Sequence, residues 1–302
     1  MSLASDMFNA VKFAGAFRME DLYKLFQDKP KTTIRGRVYD NLGKLFKRVG
    51  RGSYVVIDKA DDTSVCMLNQ DGRDLSFLEN ECVDAIVTDH PYSDKKSLKG
   101  GSRDFANYDL FLYTQEDFNE KARVLKNGGF LVEFFAEENA NNYDYIYRCK
   151  KMAEEAGFQY YATVPWTKGT FVANTGRKAK NSEQVVIFTK GKPRRIRPDK
   201  QRGGLMSGAA GMLPITFDYQ PKPVKQKVHK AEKPVELLEA ILEFVTLPDE
   251  TVLDQFAGSG NLGIAAMLKQ RKAILIEKSK EIYDRMCDNV MRTLGQTIGA
   301  VA

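Results

Sequence analysis

The chain has 302 residues, 43% of them hydrophobic and 28% charged, with 46 basic and 40 acidic side chains for a formal net charge of +6. That length suits roughly two domains or one large α/β unit, and the composition excludes a mostly disordered chain. No apolar run reaches the ~18 residues of a membrane helix, and MSLASDMFNAVKF lacks the pattern of a secretory leader, so a cytoplasmic protein is expected. Four scattered cysteines without a C-x-x-C pair, and two histidines, lead us to expect reduced thiols and no metal.

The charge is unevenly spread. Residues 1–58 hold 11 basic and 6 acidic side chains, and residues 168–233 hold 16 and 4, while the rest of the chain is net acidic. Two basic surfaces on a neutral-to-acidic body are the footprint of a polyanion partner, most often nucleic acid. Lysines that merely solubilise loops are the plain alternative.

In chain order, residues 1–58 read as a unit of their own. Leu22, Leu25 and Phe26 mark a short helix over Met19–Gln27, which Asp28-Lys29-Pro30 breaks. A second helix follows, with Thr32 or Thr33 as N-cap and a buried stripe of Ile34, Val38 and Leu42. Arg35 and Arg37 lie off that stripe. Two short strands then flank Gly50-Arg51-Gly52 and carry Lys47 and Arg48. Helix, turn, basic helix and basic hairpin look like a winged helix-turn-helix. DNA-binding roles are therefore expected for Arg35, Arg37, Lys47, Arg48 and Arg51. A small cap that touches only its own protein is the alternative.

Residues 59–302 read as one α/β unit after a polar linker at 59–63. Strands are expected at Val65–Leu68, Val83–Thr88, Phe130–Phe135, Tyr160–Val164 and Gln184–Thr189. Helices are expected at Thr114–Leu125, stopped by Asn127-Gly128-Gly129, and at Asn142–Ala156. Residues 94–108 look like a loop over a site. Residues 190–233 are basic and rich in glycine and proline, an irregular insert that includes Arg194, Arg195 and Arg197. From Pro234 the pattern is helix, strand, glycine turn, helix, strand, helix. Such alternation predicts a mostly parallel sheet covered on both faces.

Two constellations carry chemistry. In Val252-Leu253-Asp254-Gln255-Phe256-Ala257-Gly258-Ser259-Gly260 a strand runs into a glycine turn that opens a helix, and the next strand ends in Glu277. Glycines let the backbone approach a ligand at the helix N-terminus, and the acid suits ribose hydroxyls. Gly258, Gly260 and Gly263 also satisfy the nicotinamide fingerprint G-x-G-x-x-G. Against a nicotinamide stand Asp254 and Phe256, suited to a cationic ligand, and the absence of room for a second mononucleotide half. The other constellation is Asp89-His90-Pro91-Tyr92 at a strand end, where a carboxylate and carbonyls can accept an exocyclic amine's hydrogens and Tyr92 can stack on a base.

Together these segments resemble the β-group of S-adenosylmethionine-dependent DNA amino-methyltransferases. Asp-His-Pro-Tyr is similar to the family's Asp-Pro-Pro-Tyr, and Phe256-Ala257-Gly258-Ser259-Gly260 to its Phe-x-Gly-x-Gly, in the β-group's circular order. Asp71, before the catalytic strand, resembles the family's adenine-contacting acid. Val185–Pro193 looks like its late strand. His229-Lys230-Ala231-Glu232-Lys233-Pro234 resembles its His-x-x-Gln-Lys-Pro, beside the methionine end of the cofactor. Two positions depart from the pattern: His90 stands for the first proline, and Glu232 for glutamine.

The resemblance implies a Rossmann-like methyltransferase sheet with helices on both faces, joined to the N-terminal winged unit. It implies S-adenosylmethionine as cofactor and Asp71, Lys233, Asp254, Phe256, Gly258, Gly260 and Glu277 as its ligands. It also implies Asp89, His90, Pro91 and Tyr92 as the catalytic segment, acting on N6 of an adenine flipped from double-stranded DNA. The insert at about 190–233 is then the target-recognition segment, with Arg194, Arg195 and Arg197 on the phosphates. Homodimerisation is implied by the family alone. At residue 90 the family uses the main-chain carbonyl, so the imidazole is expected to be dispensable. Open alternatives are N4-cytosine as target, an RNA or protein substrate, and a catalytically degenerate DNA-binding regulator.

Overall fold

The computed structural model describes residues 3–11, 16–56, 65–91, 111–172, 178–223, 227–228 and 231–299. The linker at 59–63, the loop at 94–108, Tyr92 and His229 lie outside the described residues.

The N-terminal segment runs α1 (Leu3–Val11), β1 (Ala16–Arg18), α2 (Met19–Leu25), α3 (Lys31–Asp40), β2 (Phe46–Gly50), β3 (Ser53–Val56). Its antiparallel sheet has the order β1-β3-β2. Met7, Leu22, Ile34, Val38, Phe46 and Tyr54 close a core of their own. Sequence reasoning missed α1 and β1 and misplaced two boundaries. The cap of α3 is Pro30, whose carbonyl accepts the amides of Thr33 and Ile34, so both threonines lie inside the helix. Leu42 lies beyond the end of α3 and is exposed, since the helix has already stopped at Asp40.

The hairpin β2–β3 is docked on the rest of the chain. The Arg51 amide donates to the Phe77 carbonyl at 2.7 Å, and Val55 and Val49 pack with Phe77 and Leu75. The side chains of Arg35, Arg37, Lys47, Arg48 and Arg51 remain exposed.

The second body is an eight-stranded sheet. Its strands are β4 (Val65–Asn69), β5 (Val83–Thr88), β6 (Leu125–Ala136), β7 (Phe158–Val172), β8 (Lys178–Lys190), β11 (Phe217–Asp218), β12 (Thr251–Asp254) and β13 (Lys272–Glu277). The order is β11-β7-β8-β6-β5-β12-β13-β4. Strands β6, β5, β12, β13 and β4 are parallel, whereas β8 runs antiparallel to both neighbours. The sheet is therefore mixed.

Strand residues alternate between two cores, as the two-residue period of a strand requires. Val132, Phe134, Val185, Ile187 and Leu275 face α6 (Val235–Val245), α7 (Asn261–Leu268) and α8 (Lys280–Gly299). Leu131, Phe135, Val186, Phe188 and Ile274 face α4 (Gln115–Val124) and α5 (Tyr143–Glu155). In α6 the stripe Leu237, Leu238, Ile241, Leu242 and Val245 is buried, each side chain contributing about 1.5–3 kcal/mol.

Asn127-Gly128-Gly129 does not cap a helix. α4 ends at Val124 and β6 starts at once, because Leu125 already pairs with Val83 and a bulge between Val83 and Ala85 absorbs the following residues. Among its described residues, the segment 190–233 carries the short pair β9 (Arg197–Pro198) and β10 (Leu205–Met206) before β11. Among the described residues, no helix is long and apolar enough to cross a membrane.

Candidate active site

Parallel strands gather the ends of their chains at one edge, where α/β sheets hold ligands. Asp71 follows β4, Asp89 follows β5, Asp254 ends β12 and Glu277 ends β13, so four acids distant in sequence meet along that edge. Thr88 donates its hydroxyl to Asp254 at 2.9 Å, which joins the two motifs directly.

The glycine turn forms a cradle. Gly260 caps α7 with a φ of 76°, the left-handed region that costs glycine nothing, and so opens the helix N-terminus toward the edge. At Gly72 a Cβ would lie 1.8 Å from the Gln255 carbonyl oxygen, so the Asp71 loop can approach β12 only without a side chain there. Glu277 accepts the amides of Gly258 at 3.1 Å and Ser279 at 2.8 Å. Burial pushes Asp254 up to about 7 and raises Glu277 above its ordinary range. Asp71 pairs with Lys278 at 3.3 Å. Phe256 lies with its ring centroid 5.3 Å from that of Phe111, whose backbone N–H donates a hydrogen bond to the Pro91 carbonyl.

Asp89 is half-buried, and its carboxylate accepts a hydrogen bond from Lys233. Lys233 also reaches Glu183 on β8 at 3.3 Å, and Glu183 is paired on its other side with Lys168 on β7. Lys233 thus sits on the catalytic segment. Its carbonyl accepts Asn261 Nδ2 at 2.8 Å, which ties residue 233 to the start of α7. Glu232 is buried and accepts the Val228 amide.

His90 points away from the edge into the core. Its Nε2 lies 2.6 Å from Tyr145 Oη, its Nδ1 3.8 Å from Glu133, and its ring 3.9 Å from that of Tyr113. Glu133 meets Lys121 at 2.5 Å, and both side chains are fully buried. Burial holds the imidazole below its ordinary pKa, so it is neutral. Burial raises Glu133, but Lys121 and His90 outweigh it and leave the carboxyl below its usual range. Sequence reasoning missed this network. Its signals were a lone acid within Phe130–Phe135 and a lysine three residues after Phe118, on the apolar stripe of α4.

Arg194, Arg195 and Arg197 are not brought to this edge. Arg194 is clamped by Glu250, Asp84 and the Val245 carbonyl, and its amide bonds to the Gly128 carbonyl. Those partners mark the beginnings of the parallel strands, so Arg194 lies at the opposite end of the sheet. Arg195 bonds to the Leu205 carbonyl, and Arg197 lies in β9 beside it. What reaches the catalytic edge instead is the β7–β8 hairpin, with Lys168. The basic block is split because the chain crosses the sheet's full height at β8.

A family model described as DNA methylase, covering the N6/N4 methyltransferases, matches residues 83–287. The chain belongs to this DNA methylase family. It is 27% identical over 221 residues to the type II methyltransferase M.HpaI of Haemophilus parainfluenzae, covering 70% of this chain and 68% of that protein. The solved complex of M1.HpyAVI with S-adenosylmethionine superposes with a TM-score of 0.54 at 23% identity, over 75% of this chain and 98% of that one. PvuII DNA methyltransferase, titled cytosine-N4-specific, gives a TM-score of 0.54 at 19% identity, over 83% and 96%. The solved structures show the class I methyltransferase fold, and membership of the DNA methylase family gives S-adenosylmethionine as the cofactor. The edge suits that cofactor: the Asp71 loop closes against the turn after β12 at Gly72, the N-terminus of α7 opens from that turn, and the acids match a cation and ribose hydroxyls.

Proposed function

We propose that this DNA methyltransferase methylates N6 of an adenine flipped out of double-stranded DNA. The observation that carries the reading is Asp89, held just past the end of β5 beside the Thr88–Asp254 bond, with its carboxylate accepting a hydrogen bond from Lys233. An adenine amine is a poor nucleophile because its lone pair is delocalised into the ring. Asp89 and the carbonyl of His90 would accept its two hydrogens and draw the nitrogen toward a tetrahedral shape. Asp71, Asp254, Phe256, Gly258, Gly260 and Glu277 would hold the cofactor, which supplies an electrophilic sulfonium methyl. Fixed alignment then provides most of the rate. Aspartate rather than serine at the head of the motif favours adenine over cytosine.

The N-terminal unit supports a winged helix-turn-helix reading through its element order, with Arg35 and Arg37 exposed on α3 and within reach of phosphates or bases. Its hairpin is half committed to the catalytic body through Arg51 and Val55, so α3 carries the DNA role in this reading.

The test is incubation with S-adenosylmethionine and plasmid DNA, digestion to nucleosides and identification of the methylated base by mass. N6-methyladenine is expected. N4-methylcytosine overturns the choice of base, and cofactor binding without any methylated base favours a DNA-binding regulator.

A further inference from the structure

The Lys233 ammonium lies on the Asp89 carboxylate, within a buried chain of alternating charge that runs Asp89, Lys233, Glu183, Lys168. The ammonium also lies over the rings of Phe134 and Trp166, with Nζ 5.1 and 5.9 Å from their centroids. The residue cannot retreat, because its carbonyl is bonded to Asn261 and Pro234 follows at the cap of α6. Glu183 Oε2, 3.3 Å away, offers the ammonium a second seat.

The bond from Lys233 to Asp89 is chemically the one a target amine would make. A tetrahedral, positively charged nitrogen on that oxygen matches the amine as it gains the methyl group. We propose that Lys233 is a positioning residue for Asp89: its ammonium fills the amine seat while no base is bound, and passes to Glu183 when the amine arrives. This rests on the methyl-transfer reading above. Lys233 then favours the ionised, accepting form of Asp89 against the burial that raises its carboxyl, a different role from the cofactor ligand that the sequence resemblance implies. Among the described residues, burial and the acids Glu183 of β8 and Asp254 of β12 oppose the Asp89 charge and raise its carboxyl above the ordinary range. His90 beside it acts in the same sense as Lys233, and Lys168 of β7 sits behind Glu183.

The experiment measures initial rates of methyl transfer from tritiated S-adenosylmethionine to plasmid DNA between pH 6 and 9, with cofactor affinity by calorimetry. Lys233→Met is expected to lose tenfold or more at pH 7 and to recover to within threefold at pH 9, because Asp89 then keeps its proton to higher pH. Lys233→Arg should restore the acid limb, and cofactor affinity should stay within twofold in both. Glu183→Gln, which leaves Lys233 in place, should raise KM for DNA about tenfold by weakening the second seat. A uniform loss in Lys233→Met with an unmoved acid limb overturns the proposal, as does a tenfold weaker cofactor affinity. If Lys233→Met does not fold, an unchanged KM in Glu183→Gln overturns it. If the unaltered protein methylates no base in plasmid DNA, the methyl-transfer reading falls and this inference falls with it.

Discussion

His90 and Tyr145 meet at 2.6 Å, Nε2 to Oη, in the core beneath the catalytic turn. The Tyr145 oxygen also accepts the Tyr113 amide at 3.1 Å, an arrangement that suits donation of its own hydrogen to Nε2. The tautomer this selects carries its hydrogen on Nδ1, the nitrogen facing Glu133. The residue standing where the family has a proline is therefore a buried polar anchor, and its side chain is not dispensable to the fold.

Replacing His90 with Ala removes a ring packed at a tilt against Tyr113 and orphans buried polar groups, a loss of about 2–4 kcal/mol. His90→Pro should lose a similar amount, since a pyrrolidine cannot reach Tyr145. Urea denaturation measures this, and a change below about 0.5 kcal/mol would contradict the anchor. Methyl transfer by the folded fraction should persist, because a main-chain carbonyl is all the chemistry asks of residue 90.

The ion pair beside it should behave as a buried unit. Lys121→Met alone leaves the buried Glu133 carboxylate without its cation, facing the Tyr113 hydroxyl and the His90 ring, at a cost of about 3–5 kcal/mol. Lys121→Met combined with Glu133→Gln should recover part of that loss. A double-mutant cycle by chemical denaturation reads the coupling, and additive losses would argue that the pair is not one unit.

Cofactor affinity should depend on pH through Asp254. With its carboxyl pushed up to about 7, the group carries a proton at lower pH and offers no charge to a cation. Affinity for S-adenosylmethionine should therefore fall about tenfold per pH unit below that value and level off above it. Calorimetry from pH 5.5 to 8.5 tests this, and Asp254→Asn should flatten the curve.

Asp89→Ala should abolish methyl transfer while leaving cofactor affinity within about threefold, since its carboxylate faces Lys233 rather than the cradle. Loss of cofactor binding in that variant would reverse the assignment of roles.

DNA affinity should report on α3. Arg35→Ala with Arg37→Ala should weaken binding and reduce the slope of log K against log salt by about 0.9 for each phosphate no longer neutralised. Both side chains are exposed, so the fold should be unaffected. Deleting residues 1–58 is a poorer test, because it uncovers Leu75 and Phe77 under the hairpin. An unchanged salt slope would make the unit a cap.

Local pattern determined much of this protein. The alternation of strand and helix, the glycine turn after Leu253, and the acids at strand ends are short-range signals, and each falls where the period of apolar residues dictates. The family resemblance rested on the same segments, since a turn that must approach a ligand admits few residues. Tertiary structure alone decided which charges face the ligand. Arg194 reads like any arginine of a basic insert, yet β8 runs antiparallel and delivers it to Glu250 at the far end of the sheet. Lys233 reads as a cofactor neighbour, and only the fold shows that its ammonium also meets Asp89. His90 and Glu133 are 43 positions apart and become partners only because β5 and β6 lie side by side. Periodicity specifies which face of an element is buried. Pairing between distant polar groups depends on strand order and direction, and a single element's sequence carries neither.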